Sequence, residues 1–231
     1  MDLKKIFSPK RVLFIVLFTA MVFIGMRINF SPVLGVENQF FTLFQFFGPI
    51  AGAFLGPVYG VITVLGAELA DFFIAGKAWS VINLIRLTPM LFASYYFGTK
   101  KKHTLLIPVL AGLAYLMHPV GRQAWAYSLF WLIPIAVKVL PEKFDNIIGK
   151  SLGATFTAHA VGSAAFVWSI QTTPDLWISL LPIVIVERTL FTAGIAASYY
   201  TMNAVLHTLI EKFSWKIPQD ILHLDKDKAM A

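Results

Sequence analysis

The chain contains no cysteine, which excludes disulfides, thiolate metal sites and cysteine nucleophiles. Charge is scarce as well: 13% of the 231 residues are Asp, Glu, Lys or Arg, about half the share in a soluble domain. Several signatures of chemistry are missing. The glycines of "FFGPIAGAFLGPVYG" (46–60) are followed by neither the lysine nor the hydroxyl of a Walker phosphate loop. There is no H-E-x-x-H zinc motif, no aspartate-rich pair for a magnesium diphosphate, and no H-x-x-x-x-D acyltransfer motif. No Gly-x-Ser-Gly nucleophile turn accompanies His159 and Ser163, although these lie four apart on one helical face. These absences point away from catalysis, metal and cofactor chemistry, and towards binding or translocation.

What the chain has in abundance is apolar sequence, 58% of all residues. A helix crossing a hydrocarbon core of about 30 Å needs about 20 mostly apolar residues. The runs predict spans near 12–28, 40–56, 58–76, 80–98, 104–118, 124–140, 150–170 and 177–207. Their continuous rather than alternating character argues for helices over barrel strands. The expected fold is therefore all-α: a polytopic transmembrane helix bundle of about eight spans forming a single membrane-embedded domain. Residues 1–11 would form a cytoplasmic segment and 213–231 a solvated cytoplasmic tail.

The net charge of +7 has a distribution that explains it. With the N-terminus inside, fourteen Lys and Arg fall on the inner side and three (Arg27, Lys77 and Arg122) on the outer side. That is the positive-inside bias of a multi-pass cell-membrane protein with both ends in the cytoplasm. The basic excess is thus topological, and no nucleic-acid partner is implied; membrane lipids are.

Residues 40–76 carry no Lys or Arg and would be about 55 Å long as one helix, so the run must turn. A turn at Gly56-Pro57 leaves two pieces of suitable length, with glycine closing one helix and proline opening the next. Gly48 and Gly52 then share a face on which another backbone can approach closely.

Charged side chains within spans are costly and usually face a partner or a cavity. Five occur: Glu68, Asp71, Arg86, Glu187 and Arg188. Glu68 and Asp71, like Asn83 and Arg86, are three apart and share a helical face. From the helix rise, Asp71 lies roughly 8 Å and Arg86 roughly 10 Å below the outer ends of their spans, which allows an Asp71–Arg86 ion pair. Arg188 could reach Glu68 across the bundle. Such groups either fix helix registry as mutually neutralising pairs or line a polar cavity open from outside, with the loop 29–39 as its lid.

The stretch "LFQFFGPIAGAFLGPVYGVITVLGAELADFF", following a first helix and a polar loop, resembles the substrate-binding S components of energy-coupling factor transporters. The late stretch "WISLLPIVIVERTLFTAGIAASYY" is similar to their last helix. The resemblance covers residues 12–98 and 150–207. Family members usually have six spans, so the hairpin at 104–140 is surplus, and the first helix here lacks their Ala-x-x-x-Ala docking pattern. The resemblance implies capture of a small, polar, vitamin-like molecule from outside, with uptake powered by a separate coupling subunit and ATPases. It implies no enzymatic activity. Carried onto this chain, the ligand contacts would be Glu37 and Asn38 in the lid, then Glu68, Asp71, Asn83 and Arg86, with His159 and Glu187 from the late helices. An intramembrane enzyme acting on lipid or peptide, or a structural membrane protein, are the competing readings.

Overall fold

Apolar segments become helices here, and several of their starts are marked by a side-chain cap or a proline. The computed structural model describes residues 8–32, 40–218 and 220–224. Its helices are α1 (Pro9–Gly25), α2 (Phe44–Ile74), α3 (Val81–Ile85), α4 (Pro89–Gly98), α5 (Leu106–Met117), α6 (Pro119–Gln123), α7 (Leu132–Val139), α8 (Ile147–Ser169), α9 (Pro174–Ser179) and α10 (Leu181–Lys212). Strands β1 (Asn29–Pro32) and β2 (Phe40–Thr42) pair antiparallel, and three 3-10 turns fill connections. The structure is thus nearly all-α, as expected, and its two strands form at the edges of the segment expected to be a plain loop. Ser8, Asn146 and Thr173 accept the first-turn N–H groups of Arg11, Gly149 and Leu176 in α1, α8 and α9, and prolines open α1, α4, α6 and α9.

Two helices, α2 with 31 residues and α10 with 32, are long and apolar enough to cross a membrane by length and composition. The first is not straight. Gly56 stands at φ 78° and ψ 168°, dihedrals that only glycine tolerates well, and it divides α2 into arms 44–55 and 57–74. The turn lies where the length argument put it. Beyond it the two arms touch backbone to backbone, because a Cβ on Gly60 would fall on Gly52. A Cβ on Gly52 would fall on the carbonyl of Ser94 in α4, so three segments meet with no side chain between them.

Other boundaries moved. The span expected at 40–56 is helical only from Phe44, its first residues being spent on β2. The span expected at 80–98 is broken between α3 and α4 by Pro89. Proline has no N–H to give Ile85, so the Ile85 carbonyl accepts instead from the backbone N–H (3.2 Å) and hydroxyl (2.9 Å) of Thr88. The last expected span, 177–207, is displaced: α9 is a separate short helix, and α10 runs on to Lys212. α5 has 12 residues, about 18 Å of rise, with a 3-10 turn (Lys102–Leu105) before it adding about 8 Å.

Two apolar cores form. One gathers Phe14, Phe18, Ile50, Phe54, Val64, Tyr96 and Tyr199 around α2; the other gathers Tyr115, Tyr127, Trp131, Phe156, Val167 and Trp177. Helix α8 contributes to both. On the outside, Leu106, Leu110, Leu113 and Met117 form an exposed stripe along α5, and Ile183, Val186 and Leu190 form one on α10. Water-exposed surfaces rarely carry such stripes, and with the two long helices they point to membrane association.

The expected solvated tail is partly built in. Ile221 and Leu222 are buried in the first core, and the His223 N–H donates to the Phe54 carbonyl at 2.7 Å beside the Gly56 turn. Arg11 reaches Asp220 at 3.1 Å and lies over the Tyr59 ring, and Lys10 donates to the Lys216 carbonyl at 2.6 Å.

The glycine contacts make a graded prediction. Gly52→Val is expected to destroy folded yield in detergent, since the obstruction is backbone. Gly56→Ala should cost about 1–3 kcal/mol in unfolding experiments, and Gly66→Ala, whose nearest neighbour is Thr19 at 4.0 Å, should be neutral. Equal yields for all three would refute the packing account.

Candidate functional site

The second arm of α2 carries Glu68 and Asp71 to its far end, where Ala75 and Gly76 stop the helix. Gly76 adopts φ 59°, and the N–H groups of Gly76 and Lys77 return to the carbonyls of Phe73 (3.2 Å) and Phe72 (3.0 Å). This is a Schellman closure, and it folds Lys77 back so that its Nζ meets Asp71 Oδ2. Arg27, just past α1, takes the other oxygen at 2.8 Å. The expected Asp71–Arg86 pair is therefore not formed: both carboxylate oxygens of Asp71 are already occupied.

Arg86 closes α3 and donates to the carbonyl of Phe40 at 2.8 Å, tying the helix to β2. From the other side, Ser31 of β1 donates to Glu187 Oε1 at 2.6 Å. Glu187 Oε2 pairs with its neighbour Arg188 at 3.2 Å. Their long side chains overcome the roughly 100° between successive helical positions. That pairing replaces the expected Arg188–Glu68 bridge. The Arg188 guanidinium lies over the rings of Phe41 (4.7 Å) and Phe191 (4.8 Å), and Phe30 and Phe46 pack on Phe191. The β-hairpin is thus fastened to α3 and α10 by hydrogen bonds and by an aromatic cluster around one cation.

Beneath it lies a cavity of about 490 Å³, within the size range of small-molecule sites. Its walls include Glu68, Asp71, Asn83, Arg86, His159 and Glu187, so the structure places six of the expected residues around one space. Glu37 and Asn38 lie outside the described residues. Asn83 spends its amide on the Ala78 carbonyl at 3.0 Å, which leaves its side-chain oxygen without a donor among the described residues. Glu68 is 5% exposed. Its carboxylate makes no hydrogen bond or ion pair among the described residues, and its Oε2 is sealed from solvent.

His159 is held on both ring nitrogens. Trp131 Nε1 donates to its Nδ1 at 3.2 Å, which places the proton of the neutral ring on Nε2, facing the Tyr127 hydroxyl at 2.8 Å. Phe130 and Phe156 close the surroundings. With both nitrogens engaged, His159 positions Tyr127 and serves Ser163 as no base in this arrangement.

Sequence reasoning missed Lys77, Tyr127 and Trp177, all of which line the cavity. Lys77 was placed in a loop, and only the αL turn at Gly76 returns it to the site. Gln45, another lining residue, did carry a signal: a lone amide in an apolar run. The cavity lining has two characters, with carboxylates and cations from α2, α3 and α10 and the aromatic side chains of Tyr127, Phe166 and Trp177.

Comparison with known proteins found a distant likeness. An uncharacterized protein of Methanocaldococcus jannaschii is 25% identical over 198 residues, which covers 77% of this chain and 66% of that protein's length. No family model matches the chain and no solved structure does.

Asp71 is expected to be the structural acid of the site. Asp71→Asn should lower stability by about 1–2 kcal/mol, a figure reduced from that of a fully buried pair because both cations are 43% exposed. Adding Lys77→Met should recover part of the loss, measured as a double-mutant cycle by thermal unfolding in detergent. Strict additivity would show that the pair contributes nothing.

Proposed function

We propose that the chain is a membrane-embedded capture protein for a small polar molecule, of the kind the resemblance to energy-coupling factor S components implies. The observation that carries this reading is the cavity beneath the β-hairpin, which collects Glu68, Asp71, Asn83, Arg86, His159 and Glu187 and contains one carboxylate with no partner among the described residues. A bundle held only by registry pairs has no use for an acid left unsatisfied beside an open volume, because burying a polar group without a hydrogen bond costs free energy. The hairpin has the anchoring of a lid. Its polar attachments, Ser31 to Glu187 and Arg86 to the Phe40 carbonyl, are single hydrogen bonds to charged groups, each worth about 1.5–3 kcal/mol, and they act beside the aromatic contacts of Phe30 and Phe41.

In this reading the helices cross the membrane eight times, the hairpin faces outside, and the Gly56 turn and docked tail face the cytoplasm. Ligand entry requires the hairpin to lift, and uptake is powered by a separate coupling subunit and ATPases. No catalytic role is assigned.

Two measurements test this. Mass spectrometry of small molecules extracted from the purified protein should return one compound near equimolar amounts, and a pull-down from native membranes should bring an ATPase with it. Recovery of lipid and detergent alone would remove the capture reading. The cysteine-free sequence allows single-cysteine labelling of the topology. Ala78→Cys and Gln123→Cys should react with an impermeant maleimide from outside, and Lys101→Cys and Phe213→Cys only after permeabilisation. Labelling of both sets from one side would overturn the eight-crossing arrangement.

A further inference from the structure

Every charged group lining the cavity, apart from Glu68, has a bonding partner. Asp71 is bound by Arg27 and Lys77. Glu187 is bound by Arg188 and Ser31. Arg86 is bound to the Phe40 carbonyl. Arg188 is further stacked on Phe41 and Phe191. Two buried atoms of these charged groups have no hydrogen-bond partner among the described residues: Nε of Arg188, whose guanidinium is otherwise engaged by Glu187 and two rings, and Oε2 of Glu68, whose carboxylate has no partner on either oxygen and whose side chain is 5% exposed. The side-chain oxygen of Asn83, whose amide nitrogen is committed to the Ala78 carbonyl, is a second acceptor on the same wall.

The lining also carries aromatic groups. Tyr127 and Trp177 meet edge to face at 4.9 Å, Phe166 packs on Trp177 at 6.1 Å, and all three line the cavity. The Tyr127 hydroxyl is held against His159, so the ring is fixed. A flat apolar body resting there satisfies that wall by dispersion and stacking.

We propose that the captured molecule is a nitrogen base: a small planar or apolar body bearing a cationic N–H donor edge that binds Glu68. This rests on the capture reading and names the chemical class of its ligand. An anionic ligand fits the same volume poorly, because it would bring a second negative group to Glu68. A nitrogen base supplies the missing donor, and at a buried carboxylate such a charge-assisted bond is about twice as strong as a neutral one.

The test uses a small-molecule extract of the source cells, split on a cation exchanger into a retained fraction of nitrogen bases and an unretained fraction of neutral and acidic compounds. Each is added to the full-length protein in detergent after exhaustive washing, and the melting temperature is read. Benzamidine and benzoate, flat molecules of similar size and opposite charge, serve as defined probes. The retained fraction and benzamidine should raise the melting temperature of the wild type. Glu68→Gln should melt at or above the wild-type apo temperature and lose at least tenfold in apparent affinity for the retained fraction. Stabilisation by the unretained fraction or benzoate alone would overturn the ligand class and leave capture standing. An undiminished response of Glu68→Gln would do the same. No shift with either fraction would overturn capture itself. If Glu68→Gln fails to fold, the comparison of fractions on wild type decides alone, with Tyr127→Phe as a folded variant whose ring is kept.

Discussion

One close backbone contact is the one on which the site depends: the approach of bare backbone at Gly52, Gly60 and Ser94. In lipid there is little hydrophobic gain from bringing helices together, so packing rests on dispersion at short range and on satisfied polar groups. Removing the side chains at one point lets the two arms of α2 and helix α4 share a seam. That seam sets the direction of the second arm, and the second arm carries Glu68 and Asp71. A site many residues away from the glycines is thus positioned by them, through a turn whose dihedral angles exclude other residues.

Burial of charge provides the second layer of organisation. Four cations and three acids stand around the cavity or reach into it, and each local device serves a pairing. The Gly76 closure returns Lys77 to Asp71, the end of α1 delivers Arg27, and Glu187 and Arg188 turn towards each other. The hairpin adds Ser31 and the Phe40 carbonyl. These contacts tie the charged groups of the enclosure to one another, and they set Glu68 apart.

Much of this could be read from residue order alone, for physical reasons that differ by element. The Gly56 turn was legible because length is decisive: 37 residues without a basic side chain cannot form one straight helix in a bilayer. The gathering of Glu68, Asp71, Asn83 and Arg86 was legible because i to i+3 spacing fixes a shared face and intramembrane charge needs a cavity or a partner. The individual pairs were not. Choosing between Lys77 and Arg86 for Asp71 depends on one αL glycine, and choosing between Glu68 and Glu187 for Arg188 depends on rotamers. The β-hairpin was invisible because strands of four and three residues carry too little alternation to read. Tyr127 and Trp177 were hidden because an aromatic residue in an apolar segment reads equally well as core, lipid contact or cavity wall.

The contact between the two ends of the described chain constrains topology without reference to the length of any helix. Lys10 touches Lys216, and Arg11 grips Asp220 while packing on Tyr59, so residues separated by two hundred positions share one face. A path that leaves one side of a sheet-like barrier and returns to that same side has crossed it an even number of times. In the proposed membrane arrangement, short or broken helices such as α4 and α5 would therefore be lost from the count only in pairs. For that arrangement, parity rests on two contacts between the ends of the described chain rather than on hydropathy.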